Sequence, residues 1–241
     1  MGVGIQVLRH LLASKRDGVS YARTAMIGRQ SLHVSVPQVQ ESMRHFLGRT
    51  LTRAETLAMM GDGFLEGILR ALGASRIEAV DYSAYEGATI VHDMNRTLPD
   101  EHKSQFTAVL DGGSLEHVFD FPRAIRNCME MLEVGGHFLG ITCANNFLGH
   151  GFYQFSPELY YRVFSPENGF LIEKMFVCER QAEGKWYSAA DPQVVGARGI
   201  LVNHQPTILM VRARKIQEKE VFALLPRHVR SSHIHAGSIL G

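Results

Sequence analysis

Short apolar runs recur along residues 56–144, separated by segments whose apolar residues return every three or four positions. The first pattern predicts buried strands and the second predicts amphipathic helices. Strands are expected at TLAMM (56–60), RIEAVD (76–81), ATIVHD (88–93), FTAVLD (106–111) and HFLGITCA (137–144). Helices are expected at FLEGILRALGA (64–74), PRAIRNCMEMLEVGG (122–136) and SPELYYRVF (156–164). Strands and helices that alternate in this way predict a parallel sheet covered on both faces.

Two further strand patterns, GFLIEKMFVCE (169–179) and QPTILMVRAR (205–214), follow one another without a clear helix between them. Successive strands that lack a crossover helix pair as antiparallel neighbours. The predicted fold class is therefore α/β, a Rossmann-like and mostly parallel sheet of seven strands whose last strand runs antiparallel.

The pattern also divides the chain into three parts. Residues 1–55 lack strand alternation and carry turn signals, so they are predicted to form an N-terminal helical extension. The sheet domain is expected to span residues 56–215. Residues 216–241, which include HVRSSHIHAG, are predicted to form a polar C-terminal tail.

Charge and composition narrow the range of partners. The formal net charge is +1 and 20% of the residues are charged, so there is no electrostatic argument for binding nucleic acid or an anionic membrane surface. No apolar run reaches the roughly 20 residues that span a bilayer. Three widely spaced cysteines predict reduced thiols, and the dispersed histidines lack the spacing of a zinc motif, so no metal site is predicted. The sequence predicts a cytoplasmic protein with a small-molecule partner.

The segment GDGFLEG (61–67) follows the first predicted strand, where an open parallel sheet binds its cofactor. A dinucleotide fingerprint needs a third glycine at the position that Glu66 occupies, and this carboxylate would oppose a pyrophosphate. S-Adenosylmethionine (SAM) has no phosphate, and its cationic sulfonium and amino groups favour a nearby acid such as Asp62. The alternative is an ordinary turn between two elements.

Two acids end the next two predicted strands. Asp81 lies about twenty residues beyond the glycines, where a carboxylate can accept hydrogen bonds from both ribose hydroxyls. Asp93 is expected to face the adenine edge. Either acid could instead cap the turn that follows it.

With these motifs and the segments VDYS, VHDMN and LDGGSLEHVFD, the chain resembles class I SAM-dependent methyltransferases, over roughly residues 55–213. The resemblance extends to a branch of small-molecule and sugar-modifying methyltransferase-like proteins through CANNFLGHGFYQFSPELYYRVF. It implies SAM as the cofactor, S-adenosylhomocysteine (SAH) as the product, and residues 1–55 as a lid or a dimer contact. The cofactor-binding residues that it implies are Gly61, Asp62, Gly63, Asp81, Tyr82, Asp93, Met94, Asp111 and Gly112.

Two histidines are candidates for the base that removes a proton from the methyl acceptor. His117 follows the fourth predicted strand, at the methionine end of the cofactor in the resembled fold, and its alternative role is packing or capping. His150 follows the fifth predicted strand. The candidate substrate-binding residues are Glu116, Asn145, Asn146, Tyr153 and Gln154, and the alternative for this loop is an aromatic mini-core.

Three functions remain open at this stage. The leading hypothesis is methyl transfer to an oxygen or nitrogen of a small polar molecule, such as a sugar or a biosynthetic intermediate. The second is a methyltransferase-like binding or scaffold protein without catalysis, because Leu57 to Met60 lack the acid that usually precedes the glycine loop. The third is an NAD-dependent oxidoreductase, which Glu66 disfavours.

Overall fold

The computed structural model describes residues 2–228 and 235–238. Its α-helices are α1 (Ile5–Arg16), α2 (Val36–Leu47), α3 (Arg53–Met60), α4 (Glu66–Ala71), α5 (Phe121–Met131), α6 (Pro157–Val163) and α7 (Pro192–Val195). Its strands are β1 (Gly2–Val3), β2 (Arg23–Ile27), β3 (Ser31–Leu32), β4 (Arg76–Asp81), β5 (Ile90–Val91), β6 (Phe106–Asp111), β7 (Leu132–Asn145), β8 (Phe170–Glu179), β9 (Trp186–Ser188), β10 (Ala197–Ile200), β11 (Thr207–Lys215) and β12 (His235–Ser238). Short 3-10 helices cover Asp100–His102, Leu115–His117 and Pro166–Asn168.

Eight strands form the central sheet in the order β5-β4-β2-β6-β7-β11-β8-β9. Strands β5, β4, β2, β6 and β7 run parallel, while β11 is antiparallel to both of its neighbours, β7 and β8. The predicted mostly parallel sheet with an antiparallel last strand is confirmed. The prediction of seven strands omitted β9, which adds an antiparallel edge strand beside β8.

The first strand of the sheet is β2, so the prediction of a strand at TLAMM is wrong. Those residues belong to α3, which begins with a capping box in which Thr52 accepts from the Glu55 backbone and the Glu55 side chain accepts from Thr52. Such a box satisfies backbone donors that a helix start leaves unpaired. Leu, Ala and Met also have high helix propensity, and they dominate this run.

The N-terminal segment is not a separate helical extension. It supplies α1 and α2 as predicted, but it also supplies β2, which lies between β4 and β6 in the middle of the sheet. The boundary expected at residue 55 therefore cuts through the sheet domain.

Two hydrophobic clusters sandwich the sheet. Alternate residues of β2 divide between them, because Ala25 and Ile27 join the cluster beneath α5 and α6, whereas Met26 joins the cluster beneath α1, α2 and α4. This is the period-two alternation of a strand buried on both faces.

The remaining sequence predictions for local structure hold with shifted limits. Helix α5 ends at Met131, and β7 begins at Leu132, several residues before the expected strand.

Of the predicted tail, 229–234 and 239–241 lie outside the described residues, and β12 within it pairs parallel with β10. Cys128, Cys143 and Cys178 are buried and are not joined by disulfides. Across the part of the chain that the structure describes, every helix falls short of the length and apolar character that crossing a membrane requires.

Candidate functional site

The carboxyl ends of the parallel strands meet at one edge of the sheet. Ile27 pairs with Val80 on one side and with Asp111 on the other, and Asp111 pairs with Gly140. The chain runs from β2 outward to β5 and then returns to β6 on the opposite side of β2. The order of strands therefore reverses between β2 and β6, and an open α/β sheet binds its ligand outside this reversal.

The turn at that reversal is formed by residues 28–31, which were expected to lie in the N-terminal helical extension. Gly28 has a φ of +72°, and its N–H donates to the Val80 carbonyl at 2.7 Å. The buried Gln30 donates its side-chain amide to the carbonyls of Ile27 and Gly28, at 2.9 and 3.2 Å. Gln30 also lies so close to Gly112 that a Cβ atom at position 112 would overlap its amide. Gln30 therefore fills the space between the ends of β2 and β6.

Arg29 links this turn to the segment GDGFLEG. Its guanidinium pairs with Glu66 at 2.7 Å and with Asp62 at 3.0 Å, and it stacks 3.7 Å from the centre of the Phe64 ring. The hydrogen bond with Glu66 raises the pKa of Arg29 above its usual value. Gly61 and Gly63 thus belong to a connection between α3 and α4 that packs beside the turn after β2, and they do not themselves follow a strand.

The two acids predicted to hold the ribose and the adenine lie at strand ends as expected. Asp81 ends β4 with a half-buried side chain that accepts from the Ser83 N–H at 3.3 Å. Asp93 follows β5 and accepts from the side chain and the backbone of Asn95, and these hydrogen bonds lower its pKa. Each acid therefore also makes the local turn contact that was its alternative role.

Tyr82 and Met94, which directly follow these two acids, differ in their exposure to solvent. Tyr82 is exposed, so its ring is available to a ligand. The Met94 side chain is part of the core beneath α5, which leaves only its backbone for contact with a ligand.

Asp111 is a fully buried carboxyl group at the end of β6. Its Oδ1 accepts from the N–H groups of Ser114 and Leu115, at 2.8 and 3.3 Å, while Oδ2 has no hydrogen-bond partner. Burial, and then the charge of Glu116, raise the pKa of Asp111 to about 8. The raised pKa favours the neutral carboxyl group, and Oδ1 holds the turn that carries Glu116 and His117.

Glu116, His117 and His150 come together above this turn, and their potential ligand atoms all lie within 4.8 Å of one another. Glu116 is 1% exposed, and Thr142 Oγ1 donates to its Oε2 at 3.1 Å. His150 Nε2 lies 3.7 Å from Oε1 of the same carboxylate, and its ring packs edge-on against His117 with centroids 5.0 Å apart. The two predicted bases are therefore neighbours.

The loop after β7 places His150 there. Within it, the Phe152 N–H donates to the Glu116 carbonyl at 2.9 Å, and Tyr153 donates its hydroxyl to the Phe119 carbonyl at 2.6 Å. Tyr153 also stacks on Phe155 at the edge of the core. The loop thus contains the aromatic packing that was the alternative to a substrate-binding role.

The other predicted substrate-binding residues also make internal hydrogen bonds. Asn145 and Asn146 donate to Asn203, and Asn146 donates in addition to the Gln205 carbonyl. Gln154 accepts from the Phe147 N–H at 2.9 Å. These contacts anchor the loop. They also use some of the donor and acceptor groups that were predicted to bind a substrate.

A cavity of about 450 Å³ opens beside Glu116 and His150. Its walls come from the ends of β6, β7 and β11, from the first residues of the chain and from His33. Its size is in the range of small-molecule sites. Arg29, Gln30 and His33 lie in the predicted N-terminal extension, and the local signal for this region in the sequence is a single glycine, Gly28, after an apolar run.

No protein-family model matches the sequence, and no curated protein matches it. Several solved structures are similar in fold. A SAM-dependent methyltransferase from Mesorhizobium loti is 17% identical with a TM-score of 0.45, and the match covers 88% of this chain and 100% of that one. The 1,6-didemethyltoxoflavin-N1-methyltransferase of Burkholderia thailandensis is 12% identical with a TM-score of 0.45, over 88% and 78% of the two chains. The N-methyltransferase NodS of Bradyrhizobium japonicum is 11% identical with a TM-score of 0.46, over 88% and 97%.

At these identities and TM-scores, the matches carry no argument about the fold or the function of this chain. The strand order and the antiparallel β11 define that fold independently of the comparisons. It is the Rossmann-like methyltransferase fold, with one additional edge strand, and the fold prediction is confirmed.

Proposed function

We propose that this chain is a SAM-dependent methyltransferase that modifies an oxygen or a nitrogen of a small polar molecule bound in the 450 Å³ cavity. The observation that carries the proposal is the position of Glu116 and His150. They line a cavity that adjoins the crevice between the ends of β2 and β6, where the fold binds its ligands. A cofactor site and an acceptor site are thus neighbours on one edge of the sheet.

The residues at this edge fit SAM unevenly. Asp81 and Asp93 offer carboxylates for ribose hydroxyls and the adenine edge, and Tyr82 offers an exposed ring beside them. At the other end, the glycine-rich loop is replaced by Gly28 and the side chains of Arg29 and Gln30. We propose that Asp81, Tyr82, Asp93 and the backbone at Met94 and Gly112 contact the cofactor, and that Gly28 takes the role first given to Gly61 and Gly63.

Bound SAM would supply an electrophilic methyl group. The chain must then place an acceptor atom about 3 Å from it, in line with the bond that breaks, and remove the acceptor's proton. His150 lines the cavity and has Glu116 beside it, which stabilises the imidazolium that forms when the ring takes a proton. His117 packs against His150 and is the second candidate base.

Calorimetric titration of the full chain with SAM, SAH and NAD tests this proposal. We expect SAM and SAH to bind and NAD not to bind. Asp81→Ala should weaken SAH binding by about 5- to 150-fold, because a paired acceptor contributes about 1 to 3 kcal/mol. Asp100→Ala is the matched control, because this exposed acid lies in the 3-10 helix before β6, at the opposite edge of the sheet. Binding of NAD alone, or equal effects of the two variants, would contradict the assignment.

A binding protein without catalysis is the second candidate, and one observation favours it. Gln30 fills the crevice against Gly112, and Arg29 is held by two carboxylates beside it. A protein of this kind would bind SAM or SAH in the titration and yet convert no SAM to SAH when candidate acceptors are added. We further propose a cytoplasmic location, which the three free, buried cysteines support.

A further inference from the structure

We propose that Glu116, His117 and His150 form a binding site for a single divalent transition-metal ion, with Zn²⁺ as the best match. The inference begins with the donor set. Two imidazoles and one carboxylate are a common zinc set when a fourth position is left for water or substrate. The sequence predicted no metal site because the histidine ligands come from two separate segments rather than from one helical motif.

The three ligand atoms lie close to the separations that a zinc ion requires. Zinc bonds of about 2.0 to 2.2 Å place tetrahedral ligand atoms about 3.3 to 3.6 Å apart. The three ligand atoms already lie within 4.8 Å of one another, and His150 Nε2 is 3.7 Å from Glu116 Oε1. Both histidines are exposed, so their rings can rotate toward the carboxylate without disturbing the core.

Charge supplies an independent argument. Glu116 is almost completely buried, and the ion-pair partner that the described residues provide is His150, which is charged only when it is protonated. Burying a carboxylate is costly unless a cation compensates for it. A metal ion at this position would supply the compensating charge while leaving both imidazoles neutral.

The surroundings orient the ligands as metal sites require. Thr142 Oγ1 donates to Glu116 Oε2, which leaves Oε1 directed toward His150. The bond from the Phe152 N–H to the Glu116 carbonyl fixes the loop that carries His150. Contacts of this kind, one step removed from the metal, set the direction of a ligand and commonly change metal affinity by 10- to 100-fold.

The open coordination position would face the cavity, because Glu116 and His150 both line it. An ion there would bind a hydroxyl oxygen of a molecule in the cavity and lower the pKa of that hydroxyl, so that its proton passes to solvent water. With the ion bound, His117 and His150 would act as ligands and not as the base. The deprotonation alone rests on the proposed methyl transfer; the metal site itself does not.

Metal binding is measured on the full chain, after removal of metal by a chelator and in the absence of SAM. We expect titration with Zn²⁺ to give one binding event per chain and to raise the melting temperature. Co²⁺ should give the visible absorption bands of a four-coordinate ion. His117→Ala and His150→Ala should each weaken Zn²⁺ binding at least tenfold.

His204→Ala is the matched control, because it removes an exposed histidine from a neighbouring loop. It should bind Zn²⁺ as the wild-type chain does. The inference is overturned if the wild-type chain binds no Zn²⁺, or if the two site variants bind it as tightly as the control. A loss of turnover in His150→Ala without any metal binding would support the proposed base and reject the metal site, so the two proposals can fail separately.

Discussion

Gly151 packs against the carbonyl oxygen of Glu116, and a Cβ atom at position 151 would lie 2.9 Å from that oxygen. The same Cβ would lie 3.2 Å from His117 Nδ1. The loop after β7 therefore approaches the turn after β6 at a point where a larger residue does not fit. This close approach brings His150 beside Glu116.

Gly151→Ala should push the loop away from the turn and separate His150 from Glu116. Overpacking of this kind costs about 1 to 3 kcal/mol. We expect at least a tenfold loss of Zn²⁺ affinity, measured by calorimetry. The melting temperature should fall by about 2 to 12 °C, because each kcal/mol shifts it by about 2 to 4 °C in a chain of this size.

Gly149→Ala is the control for this variant. A Cβ atom at position 149 would meet no atom within 4 Å, so the same substitution two residues earlier should leave Zn²⁺ binding unchanged. Equal behaviour of the two variants would show that the approach of Gly151 to Glu116 does not position His150.

Most of the sheet could be predicted because its strands have a simple pattern. The runs at Arg76–Asp81 and Phe106–Asp111 are short, apolar and bounded by turns, and each ends in an acid. The strand that was not predicted, Arg23–Ile27, is also short and largely apolar. TLAMM was predicted as the first strand in its place, because it is another apolar run and lies directly before the glycine segment GDGFLEG. The capping box at Thr52 and Glu55 was the local signal that TLAMM begins a helix.

The candidate site could be predicted only in part, because it depends on contacts between distant segments. His117 and His150 follow from their places after two strands. The burial of Glu116 beside His150, and the position of Gln30 against Gly112, arise from the packing of loops over the sheet edge. No local pattern in the chain encodes either contact.

Gly112→Ala should destabilise the turn after β2, because the added methyl group overlaps the Gln30 amide. Gln30 would then lose its hydrogen bonds to the Ile27 and Gly28 carbonyls, at a cost of about 1 to 3 kcal/mol in the free energy of unfolding. Urea denaturation measures this cost.

A double-mutant cycle tests whether the Gln30 amide causes the loss of stability in Gly112→Ala. In the Gln30→Ala background the amide is absent, so Gly112→Ala should lower the unfolding free energy by at least about 0.5 kcal/mol less than it does in the wild-type chain. A value of about 0.5 kcal/mol is roughly the smallest coupling expected for residues in contact. Additive effects of the two substitutions would mean that Gln30 does not restrict the space at position 112.

Asp111→Asn should make the protein more stable above neutral pH. The pKa of Asp111 is raised to about 8, so the neutral carboxyl stabilises the fold fully below about pH 4, and this contribution is lost as the pH rises through 8. Asparagine retains an oxygen for the Ser114 and Leu115 N–H groups without titrating. The difference in stability should grow by up to about 1.4 kcal/mol per pH unit between pH 5 and pH 8.

Urea denaturation at pH 5, 6.5 and 8 measures this difference, with Asp100→Asn as the control at an exposed acid. The control should follow the wild-type profile at every pH. If the profile of Asp111→Asn also runs parallel to that of the wild-type chain, Asp111 is ionised in the folded protein, and its role as a protonated cap is wrong.

His10 should make the fold sensitive to acid. It is buried on α1, its Nε2 lies 3.4 Å from the Val211 carbonyl, and its ring lies 6.1 Å from that of Trp186. Because a carbonyl only accepts, Nε2 carries the proton and donates it to this hydrogen bond. Burial lowers the pKa of His10 to about 4, so its contribution to stability is full above pH 6.5 and is lost as the pH falls toward 4.

Between pH 7.5 and pH 5 the wild-type chain should lose about 2 kcal/mol of unfolding free energy through this group. His10→Gln should be less stable than the wild-type chain at pH 7.5, because packing is lost, but its stability should fall less steeply toward pH 5. His45→Gln, which removes an exposed histidine on α2, should keep the wild-type slope. Urea denaturation at pH 7.5, 6 and 5 measures the three slopes. If the unfolding free energy of His10→Gln falls with pH as steeply as that of the wild-type chain, a group other than His10 causes the acid sensitivity.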